Sequence, residues 1–78
     1  MKKTAIVRLQ IPSKGIKKDV ELPLNIAAER VIAAIAEAYQ LGTPATCLFC
    51  EDPIAMVSGK MSVGEFGMHD GTTVKYIV

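Results

Sequence analysis

Asn25-Ile26-Ala27-Ala28-Glu29-Arg30-Val31-Ile32-Ala33-Ala34-Ile35-Ala36-Glu37-Ala38-Tyr39-Gln40 is the one stretch of the chain that reads as a long helix. Six of its residues are alanine, the best helix former. Asn25 is a favoured N-cap, because its side-chain oxygen can accept from an N–H that the first turn leaves without a partner. At about 100° per residue, Ala28, Val31, Ile35 and Ala38 share a face, flanked by Ile32 and Tyr39, while Glu29, Arg30, Glu37 and Gln40 lie opposite. An apolar stripe of this kind needs a sheet to lie on. With Ile32 and Ala36 the arc widens to roughly 200°, more than one packed stripe requires. Either a partner covers the surplus, or alanine and a half-covered isoleucine simply tolerate water.

The flanking segments supply strands. Thr4 to Ile11 alternates, with Ala5, Val7, Leu9 and Ile11 on one side and Ile6, Arg8 and Gln10 on the other. Pro12-Ser13-Lys14-Gly15 is turn chemistry, with Gly15 suited to a positive φ. Alternation resumes from Ile16 to Leu24, with Val20, Leu22 and Leu24 inward and Asp19 and Glu21 outward, so the two strands form a hairpin. Pro23 cannot donate to a ladder and belongs at the strand's end. Beyond the helix, Leu41-Gly42-Thr43-Pro44 is a stop signal. Thr46 to Cys50 reads as a short third strand, and Ile54 to Val57 is compatible with a brief further one. Ser62-Val63-Gly64-Glu65 has the capping-box spacing, limited to about one turn by Gly67. Asp70-Gly71 turns the chain into a last strand, Thr72 to Val78.

These 78 residues carry a net charge of +1 and are half hydrophobic, which fits one globular domain spanning 1–78. A chain this short buries only about 60–65% of its unfolded surface, so each large apolar side chain matters. The charge gives no global pull toward nucleic acid or an anionic membrane. Lys2, Lys3, Arg8, Lys14, Lys17 and Lys18 all precede the first acid, Asp19, and on a small fold a basic end is usually a solvated face. The opening Met1 to Val7 imitates a secretory signal, but Arg8, Gln10 and Pro12 break the apolar run and no small-residue cleavage site follows. No run approaches the length of a membrane span. A cytoplasmic protein with free thiols at Cys47 and Cys50 is therefore expected.

Strand, strand, helix, strand, short turns, strand, with the first and last strands apolar enough to lie side by side, gives an α+β architecture. Its mixed four-stranded sheet has one helix packed across one face, the β-grasp arrangement.

In this setting Glu29-Arg30-Val31-Ile32-Ala33-Ala34-Ile35 resembles the helix of the ubiquitin superfamily, and Leu48-Phe49 stands where its third strand should be. Ser62 to Gly71 resembles its closing short helix, apolar residue and turn. More narrowly, Met56-Val57-Ser58-Gly59, Val63, Gly67-Met68, Asp70-Gly71 and Val74 resemble the YukD/EsaB family of bacterial ubiquitin-like proteins. The resemblance implies an accessory or regulatory protein of type VII secretion in a bacterium, acting by binding another protein and not as an enzyme. Ubiquitin and the sulfur carriers end in a flexible Gly-Gly, whereas this sequence reads Tyr76-Ile77-Val78 inside a strand, so conjugation is not expected. The alternative is a carrier-type ubiquitin-like or sulfur-carrier protein activated at its C-terminus, which a native gene running past Val78 to Gly-Gly would favour.

Cys47-Leu48-Phe49-Cys50 is the motif that invites a metal or redox reading. One CxxC supplies two ligands where tetrahedral zinc wants four, and His69 is the sole histidine. On a strand the two thiols face opposite sides, with Cys47 toward the helix and Cys50 outward. No catalytic, cofactor-binding or metal-binding residue is assigned and no cofactor is expected. The glycines at 59, 64, 67 and 71 do not form a phosphate-binding loop, and no nucleophile is placed with His69. Nucleic-acid binding is not expected either, because the aromatics are not interleaved with the basic residues. What remains is a surface. On the sheet face away from the helix, alternation places Ile6, Arg8, Leu48, Lys75 and Ile77, three apolar side chains beside two cations, resembling the recognition patch of ubiquitin-like domains. The expected partner is another protein, with no direct membrane insertion. The same apolar surface would also suit a homo-oligomer.

Overall fold

The computed structural model describes residues 3–42 and 45–77. Its elements are β1 (Thr4–Ile11), β2 (Ile16–Pro23), α1 (Ala28–Ala38), β3 (Leu48–Glu51), β4 (Ala55–Val57) and β5 (Thr73–Lys75), with 3-10 turns at Pro12–Lys14 and Val63–Phe66. They form one sheet in the order β2-β1-β5-β3-β4. β1 and β5 run parallel, with Arg8 opposite Thr73 and Gln10 opposite Lys75, and the other pairs are antiparallel. The sheet has five strands where four are expected, because Ala55–Val57 pairs fully with Leu48–Cys50. Apolar first and last strands lying side by side at the centre, and one helix across one face, are as the sequence predicts. Pro44 and Val78, invoked for the helix stop and the last strand, lie outside the described residues.

Alternation holds in the hairpin. Ala5, Val7, Leu9 and Ile11 are buried; in β2, Leu22 is buried and Val20 half-buried. From α1, Ala28, Val31, Ile32, Ile35 and Ala36 close the core together with Leu48, Cys50, Val57, Val63, Met68, Val74 and Tyr76. Ala38 is exposed, so the buried arc is centred on Val31, Ile32 and Ile35. The breadth of that arc needs no partner, since Ile32 and Ala36 are 2% and 4% exposed within the chain itself.

Both helix ends are made differently from the expectation. Asn25 is exposed and no side chain caps α1. The N–H groups of Ala28 and Glu29 instead donate to the carbonyls of Met61 and Gly59, and Ala27 bridges Ser62. Main-chain acceptors from a segment thirty residues away thus satisfy donors that a cap would otherwise take. At the other end Gln40, at φ 53°, occupies the left-handed position expected of Gly42. Leu41 N–H then reaches Ala36 O at 2.8 Å and Gln40 N–H reaches Glu37 O at 3.3 Å. This double closure is a Schellman motif built without glycine.

The turn at Val63–Phe66 does use its Ser62–Glu65 signal. One Glu65 oxygen accepts from Ser62 N–H at 3.0 Å and from Ser62 Oγ at 2.8 Å, and these bonds hold the carboxyl below its usual range. The turn is pressed on the end of β2, with Gly64 N–H donating to Leu24 O at 2.9 Å. A Cβ on Gly64 would stand 2.8 Å from that same oxygen, which is backbone and cannot step aside. Gly64→Ala is therefore expected to destabilise the domain by about 1–3 kcal/mol, read as a lower urea midpoint at unchanged slope.

Candidate interaction face

The side of the sheet away from α1 is uncovered, and its side chains lie in rows set by the strand register. One row runs Lys17, Gln10, Lys75, Phe49, Met56; the next runs Asp19, Arg8, Thr73, Glu51. Arg8 Nε lies 3.8 Å from Asp19 Oδ1, and Lys75 Nζ lies 2.6 Å from Glu51 Oε1. Each of these cations carries its own carboxylate. The face is therefore close to charge-balanced, not an electropositive surface of the kind that tracks a phosphate backbone.

Ile6, Arg8, Lys75 and Ile77 are on this face or at its rim, as expected, but Leu48 is not. It is fully buried on the helix side, and Phe49 points outward in its place, 40% exposed. Each phase of Cys47-Leu48-Phe49-Cys50 puts one sulfur and one large apolar side chain on either side, so the four residues alone do not decide between them. Glu51 decides it: with its carboxylate outward against Lys75, odd-numbered residues must face solvent and even-numbered ones the core. Reading the phase through Glu51 would have found Phe49. Met56, its cross-strand partner, is 63% exposed and was missed because β4 is only three residues long.

The expected patch is also not continuous. Ile6 and Ile77 lie six residues apart along neighbouring parallel strands, roughly 20 Å at the rise of a strand, with the Arg8 and Gln10 rows between them. Ile6 borders a shallow depression shared with Arg8, Asp19, Asp70, Gly71 and Thr73. The apolar pair that does form is Phe49 and Met56, opposite each other on β3 and β4, with Lys75 on the other side of Phe49 and Ile77 exposed beyond the end of β5.

The thiols also exchange the places expected of them. Cys50 is 4% exposed in the core and Cys47, ahead of β3, is half-buried; both are free. Burial pushes the Cys50 thiol up to about 11. In the unfolded chain this thiol ionises near its ordinary value, so the folded form holds its proton longer. The resulting stability is complete below that ordinary value and is lost as pH climbs from about 9 toward 11. Urea melts across this interval should show the decline, and Cys50→Ala should remove its share. At pH 8 a thiol reagent should label Cys47 quickly and Cys50 only as the protein opens.

His69 and Asp70 serve the turn into β5. Asp70 Oδ1 accepts from Ile6 N–H at 2.8 Å, and Gly71, at φ 93°, donates its N–H to Ile6 O. His69 Nδ1 lies 2.8 Å from Asp70 O. Thr72, fully buried, receives His69 N–H and donates to Asp52 O, which joins this turn to the β3–β4 loop. Among the described residues, no three His, Cys, Asp or Glu side chains cluster so as to hold a metal ion, and no helix is long and apolar enough to cross a membrane.

No family model and no curated protein matches the sequence. Among solved structures, the chain is similar to a de novo protein designed on the basis of ubiquitin, at a TM-score of 0.65 and 15% identity, covering 94% of this chain and 85% of that one. At this identity the likeness speaks for the fold alone, which is that of a ubiquitin-like β-grasp.

Proposed function

We propose that the chain is a ubiquitin-like module that works by binding another protein through the uncovered sheet face. The observation that carries this reading is the exposed cross-strand pair of Phe49 and Met56 beside the Lys75–Glu51 ion pair, with Ile77 exposed just beyond the end of β5. Singly exposed apolar residues are ordinary, but an aromatic and a methionine paired across two strands make a surface that gains by being covered. The ion pair beside it adds orientation more than affinity. The narrower reading, an accessory or regulatory component of type VII secretion acting in the bacterial cytoplasm, draws its support from the resemblance of the Met56–Gly59 and Gly67–Gly71 segments to the YukD/EsaB family.

The double variant Phe49→Asp, Ile77→Asp tests the module. Both side chains face solvent, so its unfolding free energy should stay within about 1 kcal/mol of wild type. It should lose the partner that the wild-type chain captures from the native cell. Capture of the same partner by both would overturn the proposal, and a partner outside the secretion machinery would overturn the narrower reading.

A further inference from the structure

The two edges of the sheet are defended unequally. β2, at one end of the strand order, carries Lys17, Lys18, Asp19 and Glu21 along its length. Charged side chains of this kind discourage a sheet edge from pairing with another chain. β4, at the other end, has none, since Ile54-Ala55-Met56-Val57 is uncharged. Its three residues limit such pairing without preventing it. Among the described residues the exposed large apolar side chains are Ile6, Phe49, Ile54, Met56, Met61 and Ile77, and four of these six fall between positions 49 and 61. The apolar surface is thus concentrated at the undefended edge.

The hydrogen-bond phase across the sheet shows what that edge offers. Arg8 N–H donates to Thr72 O and Tyr76 N–H to Gln10 O, so Val74 and its even-numbered neighbours bond to β1, and Thr73 and Lys75 bond to β3. Phe49 and Glu51, opposite Lys75 and Thr73, therefore bond to β5, which leaves Leu48 and Cys50 to bond to β4. Val57 and Ala55, opposite these two, take up their bonds. Met56 is left with both its N–H and its C=O directed out of the sheet. Its exposed side chain, opposite Phe49, stands on the uncovered face.

One donor and one acceptor on a single residue are self-complementary. Two antiparallel copies with Met56 opposite Met56 exchange both bonds about a two-fold axis. The flanking charges agree with that arrangement. Asp52 precedes the strand and is exposed, although His69 Nε2 lies 3.9 Å from its Oδ1, and exposed Lys60 follows the strand. A two-fold at Met56 brings the turn that holds Asp52 toward the turn that holds Lys60 of the second copy, twice over, whereas a parallel alignment would set like charge on like. We propose that the chain forms an antiparallel dimer through β4, which joins two five-stranded sheets into one of ten strands. Phe49 and Met56 of the two copies then make a single apolar row across the axis. A bridge of two hydrogen bonds is short, so the dimer is weak and assembles at high micromolar concentration. It stands whether or not a third protein binds the Phe49 face.

The test is sedimentation velocity of the full chain from about 10 μM to about 1 mM, paired with NMR over the same range. A monomer is expected at the low end and a dimer at the high end. Concentration-dependent shifts should centre on the Met56 amide, whose hydrogen exchange should slow as the dimer forms. Met56→Pro removes the outward N–H at an edge position where proline is tolerated, and should weaken association by about tenfold or more. Met56→Lys sets two cations against each other on the axis and should do the same. Asp52→Lys and Lys60→Asp should each weaken the dimer by about threefold to tenfold, and the two combined in one chain should restore it, because the exchange keeps the charges complementary. A monomer at about 1 mM, shifts centred on β2, a dimer indifferent to both Met56 variants, or a double exchange no better than the single ones would each overturn the proposal. Growth into larger assemblies would also overturn it, since a two-fold closes at two copies.

Discussion

Leu48→Asp is expected to leave the chain unfolded at 25 °C, while Phe49→Asp, one residue along, leaves it folded. Leu48 is fully buried at the head of β3, paired with Val57 on β4. A carboxylate there has no cation within the core to receive it. The side chain would have to enter protonated, at the cost of a raised pKa and an unsatisfied polar group, or push β3 off the helix. Either cost, added to the lost burial of a leucine, exceeds about 4 kcal/mol. A domain of this size has a total of roughly 4–12 kcal/mol to lose. Phe49→Asp puts its carboxylate into water beside Lys75, where the penalty is the lost partial burial of one ring and falls within about 1 kcal/mol. Far-UV circular dichroism of the two variants separates the phases directly. A folded Leu48→Asp would mean that β3 is turned over, with Phe49 inward, and the proposed interaction face would go with it.

The contrast also marks how far the sequence could be read. The hairpin, the helix and the Ser62–Glu65 turn were all legible, because each is specified by neighbours in the chain: period-two alternation, period-3.6 alternation, and a serine three residues before a glutamate. The features that were not legible depend on residues far apart. Ala28 and Glu29 find their acceptors in Gly59 and Met61, so Asn25 never needs to cap, and Gln40 takes the left-handed turn because Ala36 and Glu37 offer carbonyls to it and to Leu41. The orientation of β3 fell between these cases. Four residues with no polar member carry no phase of their own, and only Glu51, facing Lys75 across to β5, supplies one. For the candidate face this mattered more than for the fold. A strand turned over leaves the topology intact but exchanges every residue it shows to solvent.

Tyr76→Ala should be the most damaging truncation of an apolar side chain at the β5 end, at about 3–5 kcal/mol. Tyr76 is the largest of the fully buried side chains. Its ring fills the core beyond Val74, its N–H extends the β1–β5 pairing by reaching Gln10 O at 2.8 Å, and its hydroxyl accepts Ala45 N–H at 2.8 Å. Removal of the ring opens a cavity and also orphans the Ala45 amide, two costs that Tyr76→Phe separates. The phenylalanine keeps the packing and loses only the hydroxyl, for about 1–2 kcal/mol. A urea series on the three proteins should therefore give two unequal steps, the larger belonging to the ring. The functional consequence follows from position. Ile77, next in the chain, is exposed beyond the end of β5 and belongs to the proposed interaction face, and Tyr76 is what fixes it there. Tyr76→Phe should keep partner binding close to wild type. Tyr76→Ala should weaken binding even at temperatures where the domain remains folded, because ordering Ile77 again on the sheet would have to be offset by the partner. Equal binding by the two variants under folded conditions would remove Ile77 from the interaction face and leave Phe49 and Met56 to account for it.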